Sequence, residues 1–274
     1  MIMFYFSGTG NSRYIAELFS RIMAAECHSI EEDTDFAGLL AAQETVAFCY
    51  PIHGSRVPRI MREFALSYQE LLRGKSVVIL CTQLIFSGDG ARAFIDIFPH
   101  GYFDVIYAEH ILMPNNVCNL FLLPLATDRK VEECVQRAEQ KVQKICREII
   151  SEKRRRRGFN GVSRALGLIQ GAFYPSFERS GLDRVWIDGD CNECLLCISI
   201  CPMHNIRYEN GEVVAGGNCT ICCRCINSCP QKAIAVYMHT KVKRQYKGLQ
   251  QFPDELAQSP NRLIGDHENL DNRR

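Results

Sequence analysis

Eight cysteines in two runs carry the most specific chemistry in this chain. The first run is Cys191-x-x-Cys194-x-x-Cys197-x-x-x-Cys201-Pro202, and the second is Cys219-x-x-Cys222-x-x-Cys225-x-x-x-Cys229-Pro230. Three thiolates at this spacing wrap a tight loop around one face of an iron–sulfur cubane. The fourth follows on a turn of helix and points away, toward a neighbouring cluster. The spacing therefore predicts two [4Fe-4S] clusters. One is held by Cys191, Cys194, Cys197 and Cys229, the other by Cys219, Cys222, Cys225 and Cys201. The prolines after the fourth cysteines fix φ and remove a donor where the chain turns away. Zinc is the alternative, since it too uses Cys-x-x-Cys pairs, and two ions would take eight thiolates. It requires neither a third cysteine at the same spacing nor a Cys-Pro stop. The segments CPMHNI and CPQKAI match in frame, as expected for a pseudo-twofold unit.

A second candidate lies at the amino terminus. Ser7-Gly8-Thr9-Gly10-Asn11-Ser12 follows the apolar run Met1–Phe6 and opens a helical pattern. A strand-to-helix turn presents backbone N–H groups and the helix dipole to an anion. Its three hydroxyls add neutral donors, and its two glycines let the backbone approach closely. The third glycine of a dinucleotide fingerprint is missing, and there is no Gly-Lys-Ser/Thr of a nucleoside triphosphatase. A hydroxyl-rich loop without lysine suits a terminal phosphate monoester such as that of FMN.

These groups need a scaffold, and the first 150 or so residues alternate strand and helix signals. Val46–Tyr50, Ser76–Thr82 and, more weakly, Tyr102–Ala108 read as strands. Cys27–Ile30 is a poorly signalled second strand, followed by a short Ala37–Leu40 helix. Tyr14, Ile15, Leu18, Phe19, Ile22 and Met23 recur at helical spacing, and a long charged helix runs from Asp128 to Lys153. Such alternation implies a parallel sheet with helices on both faces. The basic run Lys153–Arg157 reads as a solvated helix end or as a docking patch for an acidic redox partner. Residues 156–183 form a mildly apolar, irregular connector. Arg184–Asp188 is a short strand, and 239–274 a polar, loosely held tail.

The bulk composition excludes other classes. Of 274 residues, 47% are hydrophobic and 23% charged, with a formal net charge of +1, so there is no case for nucleic-acid binding. No run approaches the roughly 18 apolar residues of a membrane span. The amino terminus lacks the basic region and small-residue cleavage site of a secretion signal. With 15 cysteines and no such signal, reduced thiols in the cytoplasm are expected rather than disulfides. Cys27, Cys49, Cys81, Cys118, Cys134, Cys146 and Cys223 are given no functional role.

The loop FSGTGNS resembles the phosphate loop of flavodoxins. Together with the cysteine runs, the chain resembles bacterial flavodoxin–ferredoxin fusion proteins over most of residues 1–238. The resemblance implies a flavodoxin-like doubly wound parallel sheet of five strands in order 2-1-3-4-5 over residues 1–155. It also implies a C-terminal α+β two-cluster ferredoxin module over 184–238. FMN would sit at the strand C-termini, its phosphate on Ser7, Gly8, Thr9, Gly10, Asn11 and Ser12. Two loops would flank its ring, one with Tyr50, Pro51, Ile52, His53 and Gly54, the other with Thr82, Gln83, Phe86, Ser87, Gly88 and Asp89. Tyr50, His53 or Phe86 would stack on the ring. Alternatively, Tyr50 and Phe86 are core aromatics and His53 a surface histidine. Met113–Asn116 also borders this region.

The expected role is that of an electron carrier, relaying electrons among clusters, flavin and redox partner proteins of unknown identity. No acid/base constellation is evident. A flavin-dependent reductase fed by the clusters and a flavin-free redox sensor are the alternatives.

Overall fold

The computed structural model describes residues 1–86, 88–120, 123–172 and 185–249. Its main body is one parallel sheet of six strands: β1 (Ile2–Tyr5), β2 (Glu26–Ser29), β3 (Thr45–Pro51), β4 (Ser76–Gln83), β5 (Asp104–Leu112) and β6 (Arg155–Arg156). The spatial order is β2-β1-β3-β4-β5-β6, and every neighbouring pair is parallel. The strands are buried on both sides, which explains their nearly continuous apolar sequences. Ile2 and Phe4 point into one core and Met3 into the other, as strand alternation requires.

Helices α1 (Asn11–Met23), α2 (Phe36–Ala41), α3 (Arg59–Ser67), α4 (Gln69–Leu72), α5 (Arg92–Ile95) and α6 (Asp128–Ile150) cover the two faces. On one face Tyr14, Ile15, Leu18 and Phe19 of α1 meet Val142, Ile145 and Cys146 of α6. On the other, Phe36, Phe64 and Phe94 from α2, α3 and α5 pack around Phe4 and Phe48.

Two features depart from expectation. A sixth strand extends the sheet beyond the predicted five, because the basic run pairs with β5 in place of projecting into solvent. Buried Glu109 faces Lys141, Arg155 and Arg157, while Glu148 takes Lys153 and Arg155. Arg154 and Arg156 both reach Asp104. The cations of the run therefore share three of the chain's own carboxylates, Asp104, Glu109 and Glu148. The second departure is α7 (Gly161–Ala172), a helix inside the stretch expected to be an irregular connector. Residues 173–184 lie outside the described residues.

The C-terminal unit is small. β7 (Val185–Ile187) pairs antiparallel with β10 (Ile234–Val236), and β8 (Ile206–Glu209) with β9 (Glu212–Ala215). Short helices Leu196–Ser199 and Arg224–Ser228 follow the two cysteine loops. The tail begins packed, which corrects the loose segment expected from 239 onward. Val242 is buried in the core of this unit, Tyr246 is buried, and Leu249 packs against the sheet's second core. These three apolar side chains hold a stretch whose mean composition is polar. Residues 250–274 lie outside the described residues. No helix among the described residues is long and apolar enough to cross a membrane.

Candidate functional site

The loops that leave the carboxyl ends of β1, β3, β4 and β5 line a large cavity that is open to solvent. It opens where the strand order reverses between β1 and β3, which is where open α/β sheets bind ligands. Ser7, Gly8, Thr9, Asn11 and Ser12 line it on one side. Gly10 does not. It turns the loop with a φ of 95°, a left-handed conformation natural to glycine, and donates its N–H to Ser7 Oγ at 3.1 Å. The first intrahelical bond of α1 runs from Tyr14 N to Gly10 O, and no side chain caps the N–H groups ahead of it. There is also no acidic residue in that first turn. The result is an uncompensated positive helix end facing the cavity.

Amide side chains tie this loop to its neighbour. Asn11 Nδ2 donates to Pro114 O at 2.8 Å, and Asn116 Nδ2 donates to Thr9 Oγ1 at 3.0 Å. Ser12 Oγ pairs with Thr82 Oγ1 at 2.7 Å. Met113, Pro114, Asn115 and Asn116 all line the cavity.

From the β3 loop, Pro51, Ile52, His53 and Gly54 line the cavity, and from β4 Thr82, Gln83 and Leu84. Two polar atoms here are buried without any partner, His53 Nδ1 and Gln83 Oε1. An unmet buried polar atom costs of order 1–3 kcal/mol, so such atoms mark a place where a bound group completes the bonding. Burial, with help from Arg62, lowers the His53 pKa to about 4, which keeps the ring neutral near pH 7. His53 is thus neither an ordinary surface histidine nor a cation.

Other expected ring contacts lie elsewhere. Tyr50 is fully buried in the core, its ring against Phe94 and its hydroxyl donating to Gly90 O at 3.3 Å. Phe86 is half exposed and does not line the cavity. Gly88 and Asp89 are pinned beneath α7. Gly88 N donates to Gln170 Oε1 at 2.9 Å, and a Cβ on Gly167 would run into the Asp89 carboxylate. Asp89 instead meets Arg92 at 3.2 Å, while burial raises its pKa. The reasons differ: Tyr50 is buried by its place inside β3, whereas α7 covers Gly88 and Asp89 and commits them to packing. Ser87 lies outside the described residues.

Sequence reasoning missed several lining residues, among them Val117 and Leu123. It also missed Ile221, Cys223 and Tyr237, which come from the C-terminal unit. Only tertiary docking brings these last three to the sheet.

The eight cysteines line two further cavities. Cys191, Cys194, Cys197 and Cys229 face one. Cys219, Cys222, Cys225 and Cys201 face the other. Each cavity thus takes three cysteines from one run and the fourth from the other. Both loops wind through left-handed residues at the same places: Glu193 and Ile221, Leu195 and Cys223, His204 and Lys232. Alternating left- and right-handed residues turn successive N–H groups inward, a backbone form that suits anions, phosphates and iron–sulfur groups. Several N–H groups already reach sulfur: Asn205 N to Cys201 at 3.3 Å, Ala233 N to Cys229 at 3.4 Å and Ile221 N to Cys219 at 3.2 Å. Burial pushes the thiol of Cys219 up to about 12 and that of Cys222 to about 11, so neither ionises near neutral pH without a positive partner. Among the described residues, no group of three or more His, Cys, Asp or Glu is gathered tightly enough to hold a single metal ion.

Comparison with known proteins bears on the sheet domain alone. None of the curated proteins matches the chain. Structural similarity extends to a two-electron reduced flavodoxin of Megasphaera elsdenii, with 20% identity and a TM-score of 0.35 over 52% of this chain and 99% of that one. It extends also to a flavodoxin from the domain Archaea (16%, 0.33, 53% and 96%) and to oxidised flavodoxin 1 of Bacillus cereus (16%, 0.31, 52% and 96%). Likeness that weak carries no inference about activity. Residues 2–121 match the family model described as Flavodoxin domain, and in agreement with the parallel sheet and its switch-point cavity the chain carries a flavodoxin-like domain at its amino-terminal end.

Proposed function

We propose that the chain is an electron-transfer protein that holds FMN in the large cavity and one [4Fe-4S] cluster in each cysteine cavity. The observation that carries this reading is the crossed ligand set, three cysteines of one run with the fourth of the other around each cavity. A zinc reading lacks a reason for that exchange. The unpartnered His53 Nδ1 and Gln83 Oε1 beside an uncapped helix end support a ligand with one anionic and one polar heterocyclic end.

The residues have distinct tasks. The N–H groups at the start of α1 and the hydroxyls of Ser7 and Thr9 take the phosphate. Neutral His53 and Gln83 meet the polar edge of the ring, and Ile52, Leu84 and Met113 exclude water around its apolar parts. Backbone N–H groups onto Cys201, Cys219 and Cys229 stabilise charge on sulfur and so tune how readily an electron is accepted. When bound, clusters pass single electrons whereas a flavin accepts two and releases them singly, which suits a relay between donor and acceptor proteins.

Anaerobic purification followed by iron, acid-labile sulfide and flavin assays tests the reading. About eight irons, eight sulfides and one FMN per chain are expected, from two four-iron clusters. Stoichiometric zinc, or flavin without iron, would overturn it.

A further inference from the structure

Two of the three cavities share a wall. Cys223 lines the large cavity and the Cys219/Cys222/Cys225/Cys201 cavity alike, and Ile221 of the same loop also faces the large one. The sheet domain lines neither cysteine cavity, and the Cys191/Cys194/Cys197/Cys229 cavity, whose Cys194 is exposed, shares no lining residue with the large one. The contact between loops is tight: a Cβ on Gly8 would collide with the carbonyl of Cys222. Gly8 is therefore required for this approach, in addition to any ligand.

One side chain locks the contact. Arg224 follows the shared wall directly and reaches back to the phosphate loop, donating to Ser7 O at 2.8 Å and to Gly8 O at 3.2 Å. Its remaining N–H groups reach Ile200 O at 3.0 Å and both carboxylate oxygens of Glu31, at 2.8 and 2.7 Å. The planar guanidinium serves all of these acceptors at once, which an ammonium cannot do. Its two carbonyl bonds to Ser7 and Gly8 orient those peptide units, fixing the direction of the N–H groups on the cavity side.

We propose that Arg224 is a positioning residue that clamps the Cys219–Cys225 loop to the phosphate loop, so that the cavity walled by Cys223 is the inner electron site beside the flavin and the Cys194 cavity the outer one. This rests on the cofactor reading above. With the groups bound, the exposed Cys194 end would be where an external one-electron donor docks, and the loop held by Arg224 would adjoin the flavin. Electron flow in either direction makes and breaks no bond to the protein.

The test uses the full chain. In protein carrying its clusters but no flavin, Arg224→Ala is expected to raise hydrogen exchange in a peptide covering Ser7–Asn11 about tenfold or more, while Arg224→Lys restores part of the protection. In protein reconstituted with iron, sulfide and FMN, Arg224→Ala weakens FMN binding by a similar factor, about tenfold, with iron content unchanged. Glu31→Gln, which keeps every backbone contact, gives a smaller loss in the same direction and serves if the alanine variant does not fold. The order of sites is read by electron paramagnetic resonance after dithionite titration. Magnetic coupling between flavin and cluster is expected to survive Cys194→Ser and to vanish in Cys222→Ser. The opposite pattern, or unchanged exchange and FMN affinity in Arg224→Ala, overturns the proposal. A wild-type protein that takes up no iron and no flavin sinks the cofactor reading itself, whereas defects confined to the variants bear on the clamp and the order.

Discussion

The sheet domain and the C-terminal unit hold their functional groups in place by different means. In the sheet domain, largely apolar strands and two extensive cores fix the loops, and the cavity sits on top of a body that stands without it. The C-terminal unit has strands of three or four residues and one small core, in which Cys197 and Cys223 take part, with Cys191, Cys219, Cys225 and Cys229 packed against it. Small domains bury too little apolar surface to be stable without added cross-links. The lesson is that a ligand on the first region would leave its framework unchanged, whereas one held among the cysteines would be part of the framework of the second.

The sharpest way to break this contrast is to remove each cofactor separately. Chelation or oxidative loss of the clusters is expected to unfold residues 185–238 while the sheet persists, because metal-binding free energy is folding free energy in such units. Site-resolved hydrogen exchange reads this directly. Protection retained in β8–β9 and lost in β4 would reverse the assignment. FMN release costs the sheet domain only its mass-action share, about 2.7 kcal/mol at a hundredfold excess over Kd. A thermal shift with and without FMN measures it.

A core truncation probes the sheet from the other side. Phe4 is fully buried among Phe36, Phe48 and Phe64, so Phe4→Ala is expected to cost about 3–5 kcal/mol in urea unfolding. Iron content after reconstitution should hold as long as the sheet remains folded. If iron is lost while the sheet still gives its native signal, the two regions are more tightly coupled than their separate cores imply.

Acid titration gives an intermediate effect. His53 and His110 both have pKa values lowered to about 4, by burial first and then by nearby arginines, with Lys141 also acting on His110. Between the ordinary value near 6.5 and 4, the unfolded chain binds protons that the folded sites refuse. Stability of the sheet domain is therefore full above about pH 6.5 and falls as the pH drops toward 4. Urea midpoints across this range, compared with a His53→Gln variant of flatter slope, check the sign.

The smallest effect expected is at the tail. Tyr246 Oη donates to Asn11 Oδ1 at 2.6 Å while its N–H bonds Asn227, so this residue joins the two regions at the phosphate loop. Tyr246→Phe should cost about 0.5–1.5 kcal/mol and weaken FMN binding severalfold. Isothermal titration with FMN measures this, and unchanged affinity would show that the tail merely rests there.

Much of this was legible in the residues. Strand positions were readable because buried parallel strands leave unbroken apolar runs such as SVVILCT. The grouping of Cys201 with the second run and Cys229 with the first around two cavities is also what the spacing of the runs leads one to expect. The ring loops were less legible. Tyr50 and Asp89 carry suitable chemistry, yet strand alternation buries one and α7 covers the other. Cys223, without a role by its place between two ligands, proved to be the wall between two cavities.

The sequence by itself determined what is local: which segments become strands, where a helix end is left uncapped for an anion, and which cysteines share a loop. Tertiary structure alone decided what is long-range. It turned the basic run into a sheet edge, folded Tyr246 over Asn11, and set Arg224 between the cysteine loop and the phosphate loop. Local chemistry repeats along the chain and can be read from it. Docking depends on the complementary shape of surfaces far apart in sequence, and spacing carries no record of that.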